Sequence, residues 1–567
     1  MESYTAADGM IDALGEMGVT HFFANFGSDH PPIIESLAKA KARGKNHPRV
    51  VLCPHESVAL AAAHGHALVS GQAQAVFVHC DVGTQTLGGS VHNACRARIP
   101  AFIFAGETSI TIDGERFGAR NRPVQFIQDV TDQHSIVRPY VKWSYGLRTG
   151  VNIKQLTYRG MQLAHSAPRG PVYLSGPRET LEEPIEPGAN ESASWPTVEP
   201  GALSDAMLES LLSALEVAQR PLLITSYLGR SLHGVTALRQ LAERFALGVV
   251  EASPAYVNMV SDHDCLLGDE AEPLLADADL VIVVDCDVPW ISTLGTPGPE
   301  TPIYHIDVDP LKTGLPLWHV PTTHVCQADG AEVLAQLVRA SEDRVPDALS
   351  LTTRRDWHKR VRGTGAGTQS PPSEVLDAAF LSACVAEAIG PDTIVLDETI
   401  TSSPMVRKHI PRHCPGGYFQ SGGSSLGWHG GAAIGAKLAA PERDVVALVG
   451  DGTYLFSVPS AVHWIARRYQ TPFLTVIYNN GGWNATKQNV LKLHPDGMAA
   501  RNDDYWVNLQ NESDLPAIAA AAGGAYARTV ERAQDLREAL NEAVAAVRSG
   551  RCAVIDVRLP AISAQID

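Results

Sequence analysis

The sequence lacks the features that mark a membrane protein, a disulfide scaffold or a zinc protein. Its apolar runs fall short of the roughly 18 residues needed for a membrane span. The nine cysteines are an odd number without paired spacing, and no Cys/His pattern has zinc-site spacing. The amino terminus is acidic and amphipathic, so we expect no targeting segment. These absences predict reduced thiols and, by default, a cytoplasmic protein.

Basic residues are also scarce. Lysine and arginine together number 45, against 62 aspartates and glutamates, and the net charge is -17. A chain this acidic is poorly suited to nonspecific binding of nucleic acid or of an anionic membrane surface. We therefore expect neither as a partner, and a small molecule as the ligand.

The 567 residues leave room for three or four domains at roughly 150 residues each. Strand-like and helix-like apolar patterns alternate almost throughout, which predicts the α/β class with doubly wound parallel sheets. Two polar stretches, 182–200 and 354–372, separate three such series and are predicted to be linkers. The expected domains are 1–180, 200–345 and 370–560.

The most informative segment is Gly450-Asp451-Gly452, which is followed after 26 residues by Asn479-Asn480. The surrounding pattern predicts strand, helix and strand at 445–449, 457–469 and 473–478. A right-handed crossover places such strands side by side, so Asp451 and Asn480 emerge at neighbouring carboxyl ends. Their oxygen atoms, with a backbone carbonyl, suit Mg²⁺. A bare turn between strand and helix is the structural alternative.

This pattern resembles the cofactor motif of the thiamine diphosphate enzyme superfamily, in which a bound cation anchors a diphosphate. The resemblance implies thiamine diphosphate and Mg²⁺ as cofactors, with the metal held by Asp451, Asn480 and the carbonyl of Gly482. It also implies three cofactor-linked domains: pyrimidine-binding, middle and diphosphate-binding. Further cofactor contacts would come from Gly450, Gly452, Thr453, Thr401, Ser402 and Trp483.

Two more segments carry the same resemblance. Glu56 opens a helix of small residues, where the family places the glutamate that hydrogen-bonds the cofactor's aminopyrimidine ring. A carboxylate stabilised by the helix dipole is the structural alternative. In the glycine-rich stretch 418–435, Leu426 would sit beneath the bond joining the two cofactor rings. The carbonyl of Ser424 would accept a hydrogen bond from the aminopyrimidine.

The branch of the superfamily is indicated by Ser28 and His79, which resemble residues of the benzoylformate decarboxylase type. Ser28 would contact the substrate carboxylate, and His79 would shuttle a proton, as its near-neutral intrinsic pKa allows. The alternatives are a turn capped by Ser28 or Asp29, and a structural histidine. Weaker histidine candidates are His30, His55, His92 and His429.

The sequence departs from the benzoylformate decarboxylase type at three places, and these differences bear on its catalytic residues, substrate and cofactors. The second catalytic histidine of that type has no counterpart, because the aligned positions are Trp290, Ile291 and Ser292. The stretch 483–488 is polar, which disfavours an aromatic substrate. The connection from Leu267 to Leu280 is short, so no flavin is expected.

The predicted activity is therefore a thiamine diphosphate- and Mg²⁺-dependent lyase or carboligase, foremost a decarboxylase of 2-oxo acids. The alternatives, in order, are an acetolactate synthase-like carboligase, a 2-hydroxyacyl-CoA lyase and an inactive subunit for assembly or regulation. In this superfamily the glutamate domain of one subunit faces the metal domain of another. The resemblance thus implies a homodimer with shared active sites, and a homotetramer as the usual elaboration.

Overall fold

The computed structural model describes residues 3–365, 375–509 and 513–561. Its strands and helices alternate along the chain, as the sequence pattern predicts. The strands are β1 His21–Ala24, β2 Arg49–Leu52, β3 Gln74–Val78, β4 Ala101–Glu107, β5 Trp143–Gly146, β6 Pro171–Pro177, β7 Pro221–Thr225, β8 Gly248–Glu251, β9 Leu266–Gly268, β10 Leu280–Val284, β11 Ile303–Asp307, β12 His324–Gln327, β13 Ile394–Glu398, β14 Tyr418–Phe419, β15 Val445–Gly450, β16 Leu474–Asn479, β17 Tyr526–Val530 and β18 Ala553–Arg558.

The helices cover the faces of the sheets. Within the described ranges, none of them is both long and apolar enough to cross a membrane. They are α1 Ala6–Glu16, α2 Pro31–Ala42, α3 Glu56–Ser70, α4 Cys80–Arg96, α5 Val124–Ile127, α6 Ile153–His165, α7 Arg178–Leu181, α8 Asp205–Val217, α9 Leu232–Phe245, α10 Glu272–Leu275, α11 Gly330–Ala340, α12 Ala348–Gly365, α13 Ala378–Ala388, α14 Ser403–His409, α15 Trp428–Ala439, α16 Asp451–Phe456, α17 Pro459–Tyr469, α18 Asn484–Leu493, α19 Met498–Asn502, α20 Leu515–Gly523 and α21 Ala533–Arg548.

Three sheets organise these elements. The first has the order β2-β1-β3-β4-β6-β5 and the second β12-β11-β10-β7-β8-β9, and the strand pairs within each are parallel. Parallel pairs also join the strands of the third sheet in the order β13-β15-β16-β18-β17. The predicted α/β fold with three doubly wound parallel sheets is confirmed.

The described chain forms two compact units. One comprises Met1–Val198, Glu374–Val406 and Ser421–Asp567, and the other comprises Glu199–Ser373 and Arg407–Gln420. The first unit therefore contains β1 to β6 and most of the third sheet. The second unit is built on the middle sheet.

The prediction of a linker over 354–372 is wrong for its first part. Residues up to 365 belong to α12, and 366–372 lie outside the described residues. The polar Arg354 is fully buried, and its guanidinium donates to the carbonyls of Leu215 and Phe245 at 2.7 and 2.6 Å. The last carbonyls of a helix have no partner within it, so at the ends of α8 and α9 they can accept from the buried Arg354 guanidinium without a carboxylate.

Small residues allow α3 and α15 to pack closely in the first unit. A Cβ added at Gly435 of α15 would overlap the carbonyl of Ala62 on α3, and one added at Gly65 of α3 would overlap the backbone of Ala432. The composition of α3, rich in alanine, thus serves a helix contact. This contact packs α3, whose first residue is Glu56, against α15 of the domain that contains the Gly-Asp-Gly motif.

Replacing Gly435 with alanine is expected to destabilise the fold by about 1–3 kcal/mol, the usual cost of overpacking. The matched control is Gly15→Ala in the exposed part of α1, where a Cβ meets no atom within 4 Å. That change should be neutral or stabilise by up to about 1 kcal/mol. Urea unfolding followed by circular dichroism measures both, and equal stabilities of the two variants would contradict the packing argument.

Candidate active site

Polar side chains gather at the carboxyl ends of three adjacent strands in the first sheet. Glu56 follows β2, Asn25 follows β1 and His79 follows β3. Open parallel sheets bind ligands at this edge. The arrangement therefore brings together residues that are more than 20 positions apart in sequence.

Glu56 is 7% exposed, and its carboxylate accepts from two neutral hydrogen-bond donors. The Asn25 amide donates to Oε1 at 2.8 Å, and the Thr86 hydroxyl donates to Oε2 at 2.6 Å. Neutral donors orient a carboxylate while leaving its charge uncompensated. The α3 amino terminus adds a favourable dipole. Asn25 and Thr86 were not predicted as partners of Glu56. The position of Asn25 directly after a buried strand is a pattern that could have identified it as a site residue.

Ser28 and His79 lie in neighbouring loops at the same edge. The half-buried Ser28 uses its backbone carbonyl to accept from Arg178 Nη1 at 3.3 Å. His79 Nδ1 makes a very short hydrogen bond to Asp29 Oδ1, and Cys80 N–H donates to Asp29 Oδ2 at 3.2 Å. The Asp29 hydrogen bond raises the pKa of His79, against the opposing effect of partial burial.

The Gly-Asp-Gly and Asn-Asn segments lie at the carboxyl ends of β15 and β16. The register pairs Gly450 with Tyr478, so Asp451 and Asn480 follow adjacent strand ends as predicted. Asp451 is also the first residue of the short helix α16, which the predicted helix over 457–469 does not include. Burial raises the pKa of Asp451 to about 6.

The loop after β16 turns back on itself. Asn480 Oδ1 accepts from the Gly482 N–H at 3.3 Å, and the Gly482 carbonyl accepts from the Asn484 N–H at 3.1 Å. Gly482 has φ of +157°, and a Cβ there would overlap the Val507 carbonyl. Asn480 and Gly482 each keep a second lone pair for another partner.

The other predicted cofactor residues surround this loop. Gly452 lies against the Trp483 ring, since an added Cβ would overlap it. Thr453 is buried in the first turn of α16. Thr401 accepts from the Asn484 side chain at 3.4 Å, and Ser402 is half-buried in the turn after β13. Thr453 thus places a hydroxyl at the Gly-Asp-Gly turn, and Thr401 places one beside the start of α18.

Two residue pairs missed in the sequence support these loops. The Asn479 amide donates to Asp556 Oδ1 at 2.8 Å. The Glu398 carboxylate accepts from the Trp428 and His429 N–H groups at 3.1 and 2.9 Å, which caps the amino terminus of α15. No local sequence signal joins these partners, because each pair spans two elements.

The stretch containing Leu426 and Ser424 rests on α4. Asn93 donates to the Ser425 carbonyl at 2.8 Å and accepts from its N–H at 3.0 Å. His92 Nε2 contacts the Ser424 hydroxyl at 3.1 Å. Leu426 is half-buried and directly precedes Gly427, which has φ of +85°.

The weaker histidine candidates have other contacts. His429 Nδ1 pairs with Glu398 at 2.9 Å, and His55 Nδ1 contacts the Ser57 hydroxyl at 2.7 Å. His30 is buried, and its Nδ1 accepts from the Gly27 N–H at 3.0 Å. At the position aligned with a second catalytic histidine, Trp290 lies in a core cluster of the second unit.

Comparisons with known proteins agree with this architecture. Three models of the thiamine pyrophosphate enzymes match: the N-terminal TPP binding domain over 4–136, the central domain over 208–337 and the C-terminal TPP binding domain over 399–557. Solved structures of similar fold include a thiamine diphosphate-dependent 4-hydroxybenzoylformate decarboxylase from Rhodococcus jostii, with TM-score 0.80 and 23% identity. That likeness covers 98% of this chain and 99% of the other.

Curated relatives point to the same group. Benzoylformate decarboxylase of Pseudomonas aeruginosa is 26% identical over 501 residues, covering 85% of this chain and 87% of the relative. An acetolactate synthase large subunit from Parasynechococcus marenigrum is 26% identical over 502 residues, covering 84% and 76%. The chain belongs to the thiamine pyrophosphate enzymes, in the group that includes benzoylformate decarboxylase and acetolactate synthase.

Proposed function

We propose that this enzyme decarboxylates a 2-oxo acid with thiamine diphosphate and Mg²⁺, releasing an aldehyde or joining the product to a second carbonyl compound. The observation that carries the proposal is the Glu56 carboxylate, which is buried and which, within the described part of the chain, accepts hydrogen bonds from the neutral donors Asn25 and Thr86. A buried charge without a cationic partner is costly. Such a cost is typical of a residue retained for chemistry.

The residues present fit the two cofactors. Asp451, Asn480 and the Gly482 carbonyl offer one carboxylate, one amide oxygen and one backbone oxygen, which is a donor set suited to Mg²⁺. Burial raises the pKa of Asp451 to about 6, and a divalent cation would offset the cost of its buried charge. The hydroxyls of Thr453, Thr401 and Ser402 would accompany the diphosphate.

Each side chain has a defined task in this proposal. Bound thiamine diphosphate supplies an electron sink for the carbon–carbon bond that breaks. Glu56 would exchange a proton with the aminopyrimidine, and the Ser28 hydroxyl would bind the substrate carboxylate. His79 holds a proton at Nε2 and delivers it to the carbon that has lost carbon dioxide. Leu426 and the Ser424 carbonyl orient the cofactor.

The proposed substrate class rests on the expectation that α18, which begins directly after Trp483, lines the substrate pocket. Its residues Asn484, Thr486, Lys487 and Gln488 are polar, and none of the helix is buried. An aryl group would gain little from contact with such a surface. We therefore favour an aliphatic or polar 2-oxo acid over benzoylformate.

A second candidate is carboligation of the acetolactate synthase type. It is favoured by the relative of that name, whose identity equals that of the decarboxylase at 26%. The two candidates differ in the fate of the decarboxylated carbon, which is either protonated or joined to a second carbonyl carbon. His79 favours protonation.

We also propose a homodimer with shared active sites. The segment after β4 exposes large apolar side chains to an unusual degree, with Phe117 at 81% and Ile127 at 84%. Ile110, Ile112 and Phe126 are also at least half exposed. Several large exposed apolar side chains in one segment are typical of an interface, and a second copy of the chain would cover them.

The proposal is tested by incubating the enzyme with thiamine diphosphate, Mg²⁺ and a panel of aliphatic, polar and aromatic 2-oxo acids. Products are identified by mass spectrometry, with reactions lacking the cofactor as controls. Cofactor-dependent aldehyde supports decarboxylation, and a 2-hydroxy ketone or acetohydroxy acid supports ligation. Absence of product from every acid would refute both and lead to 2-hydroxyacyl-CoA substrates.

A further inference from the structure

The loop after β1 presents an acid to His79. Asp29 is 3% exposed, whereas the His79 side chain is 22% exposed. Asp29 Oδ1 accepts a hydrogen bond from His79 Nδ1, and Asp29 Oδ2 accepts one from the Cys80 N–H at 3.2 Å. The imidazole is therefore anchored at one nitrogen to a buried acid while part of its ring remains open.

The backbone leaves room for this pair at two glycines. A Cβ added at Gly27 would overlap the His79 ring, and one added at Gly106 would overlap the Asp29 carboxylate. Gly27 lies in the loop after β1 and Gly106 near the end of β4, so two separate elements accommodate the contact. The site is built around the two side chains.

His30, the other imidazole near Asp29, also interacts with this carboxylate. Its Nδ1 lies 3.2 Å from Asp29 Oδ1, but that nitrogen accepts from the Gly27 N–H at 3.0 Å. A nitrogen that accepts a hydrogen bond has no proton to donate. Because a carboxylate can only accept, His79 Nδ1 is the donor in its own contact with Asp29 Oδ1.

We propose that Asp29 is a positioning residue for His79: its carboxylate accepts the Nδ1 proton and thereby reserves Nε2 for proton transfer at the reacting carbon. The inference deepens the proposed function and rests on it for the role of Nε2. A carboxylate can only accept, so this contact selects one tautomer and one ring orientation. It also stabilises the imidazolium, which keeps His79 charged to higher pH.

The other groups facing His79 are consistent with this role. Gln128 contacts both His79 and the Cys80 sulfur, the latter at 3.3 Å, and carries no charge. Asp81, in the first turn of α4, raises the pKa of His79 less than the Asp29 hydrogen bond does. Asp29 is thus the main source of the raised pKa.

The test measures His79 itself, in the full chain without cofactor or substrate. Histidine is labelled with ¹⁵N, and the His79 signal is assigned with a His79→Gln variant and followed by NMR across pH. We expect Nδ1 to stay protonated throughout while Nε2 titrates above the ordinary value of about 6.5. A neutral His79 protonated at Nε2 instead of Nδ1, or a His79 pKa at or below about 6.5, would overturn the proposal. This result needs no folded variant at Asp29 or Asp81.

Asp29→Asn keeps the shape of the side chain but removes its charge. We expect the His79 pKa to fall by at least about one unit, as for loss of an opposite charge at hydrogen-bond distance. The matched control, Asp81→Asn, should shift it less. In active enzyme, the alkaline limb of turnover should move to lower pH by the same amount in Asp29→Asn, because the acid form of His79 is lost earlier.

The two failures are distinguishable. A raised and Asp29-dependent His79 pKa without product from any 2-oxo acid would leave the pair intact and reject the proposed function. If the enzyme forms product but Asp29→Asn leaves the His79 pKa unchanged, the positioning role of Asp29 is rejected and the proposed function stands. Equal shifts in Asp29→Asn and Asp81→Asn would also reject that role, since the effect would then be general electrostatics.

Discussion

Replacing Glu56 with glutamine is expected to lower turnover by about 10²–10⁴-fold, the usual contribution of a positioned acid or base. Glutamine has nearly the same shape: its carbonyl oxygen can still accept from Asn25, and its NH2 group can donate to the Thr86 hydroxyl. It cannot exchange a proton with the cofactor. The loss should therefore appear in kcat, with little change in thermal stability or in affinity for thiamine diphosphate.

The matched control is Glu35→Gln on the exposed face of α2, where the same change should leave kcat within about twofold. Steady-state assays on the best substrate of the 2-oxo acid panel compare the two variants. Full activity of Glu56→Gln would remove Glu56 from the mechanism. A fall in both kcat and stability would instead indicate a structural role for its hydrogen bonds.

The placement of Asp451 and Asn480 could be predicted because it depends on strand order alone. A crossover connection of this length is right-handed and returns beside its first strand, so both residues must follow neighbouring carboxyl ends. The fold class follows from similar regularities in apolar spacing. Strand order and fold class can therefore be predicted without knowing which side chains are in contact.

The contacts that organise the candidate site could not be predicted in the same way. Asn25 and Thr86 reach Glu56 across gaps of 31 and 30 positions, and Asp29 reaches His79 across 50. Such contacts depend on loop conformation, which spacing does not encode. Arg354 was misread for a related reason, because its polar side chain is satisfied by carbonyls that become available only when two helices end nearby.

Replacing Asp451 with asparagine is expected to weaken Mg²⁺-dependent binding of thiamine diphosphate by at least about 100-fold. Loss of a residue that supports a metal ligand typically costs 10–100-fold in affinity, and this substitution removes the proposed charged ligand itself. The control, Asp444→Asn, lies at the opposite end of β15, where Asp444 forms an ion pair with Arg548 at 3.0 Å. Isothermal titration calorimetry with the cofactor and Mg²⁺ should find the control unchanged.

Mixing the Glu56→Gln and Asp451→Asn variants tests whether the active site is shared between two subunits. Glu56 belongs to the first sheet and Asp451 to the third, so a site shared between subunits needs one residue from each chain. Random reassociation of Glu56→Gln with Asp451→Asn would then regenerate about a quarter of the wild-type activity, because half of the dimers are mixed and each has one intact site. Sites formed within single chains would instead stay inactive in every mixture, and that result would rule out the shared arrangement.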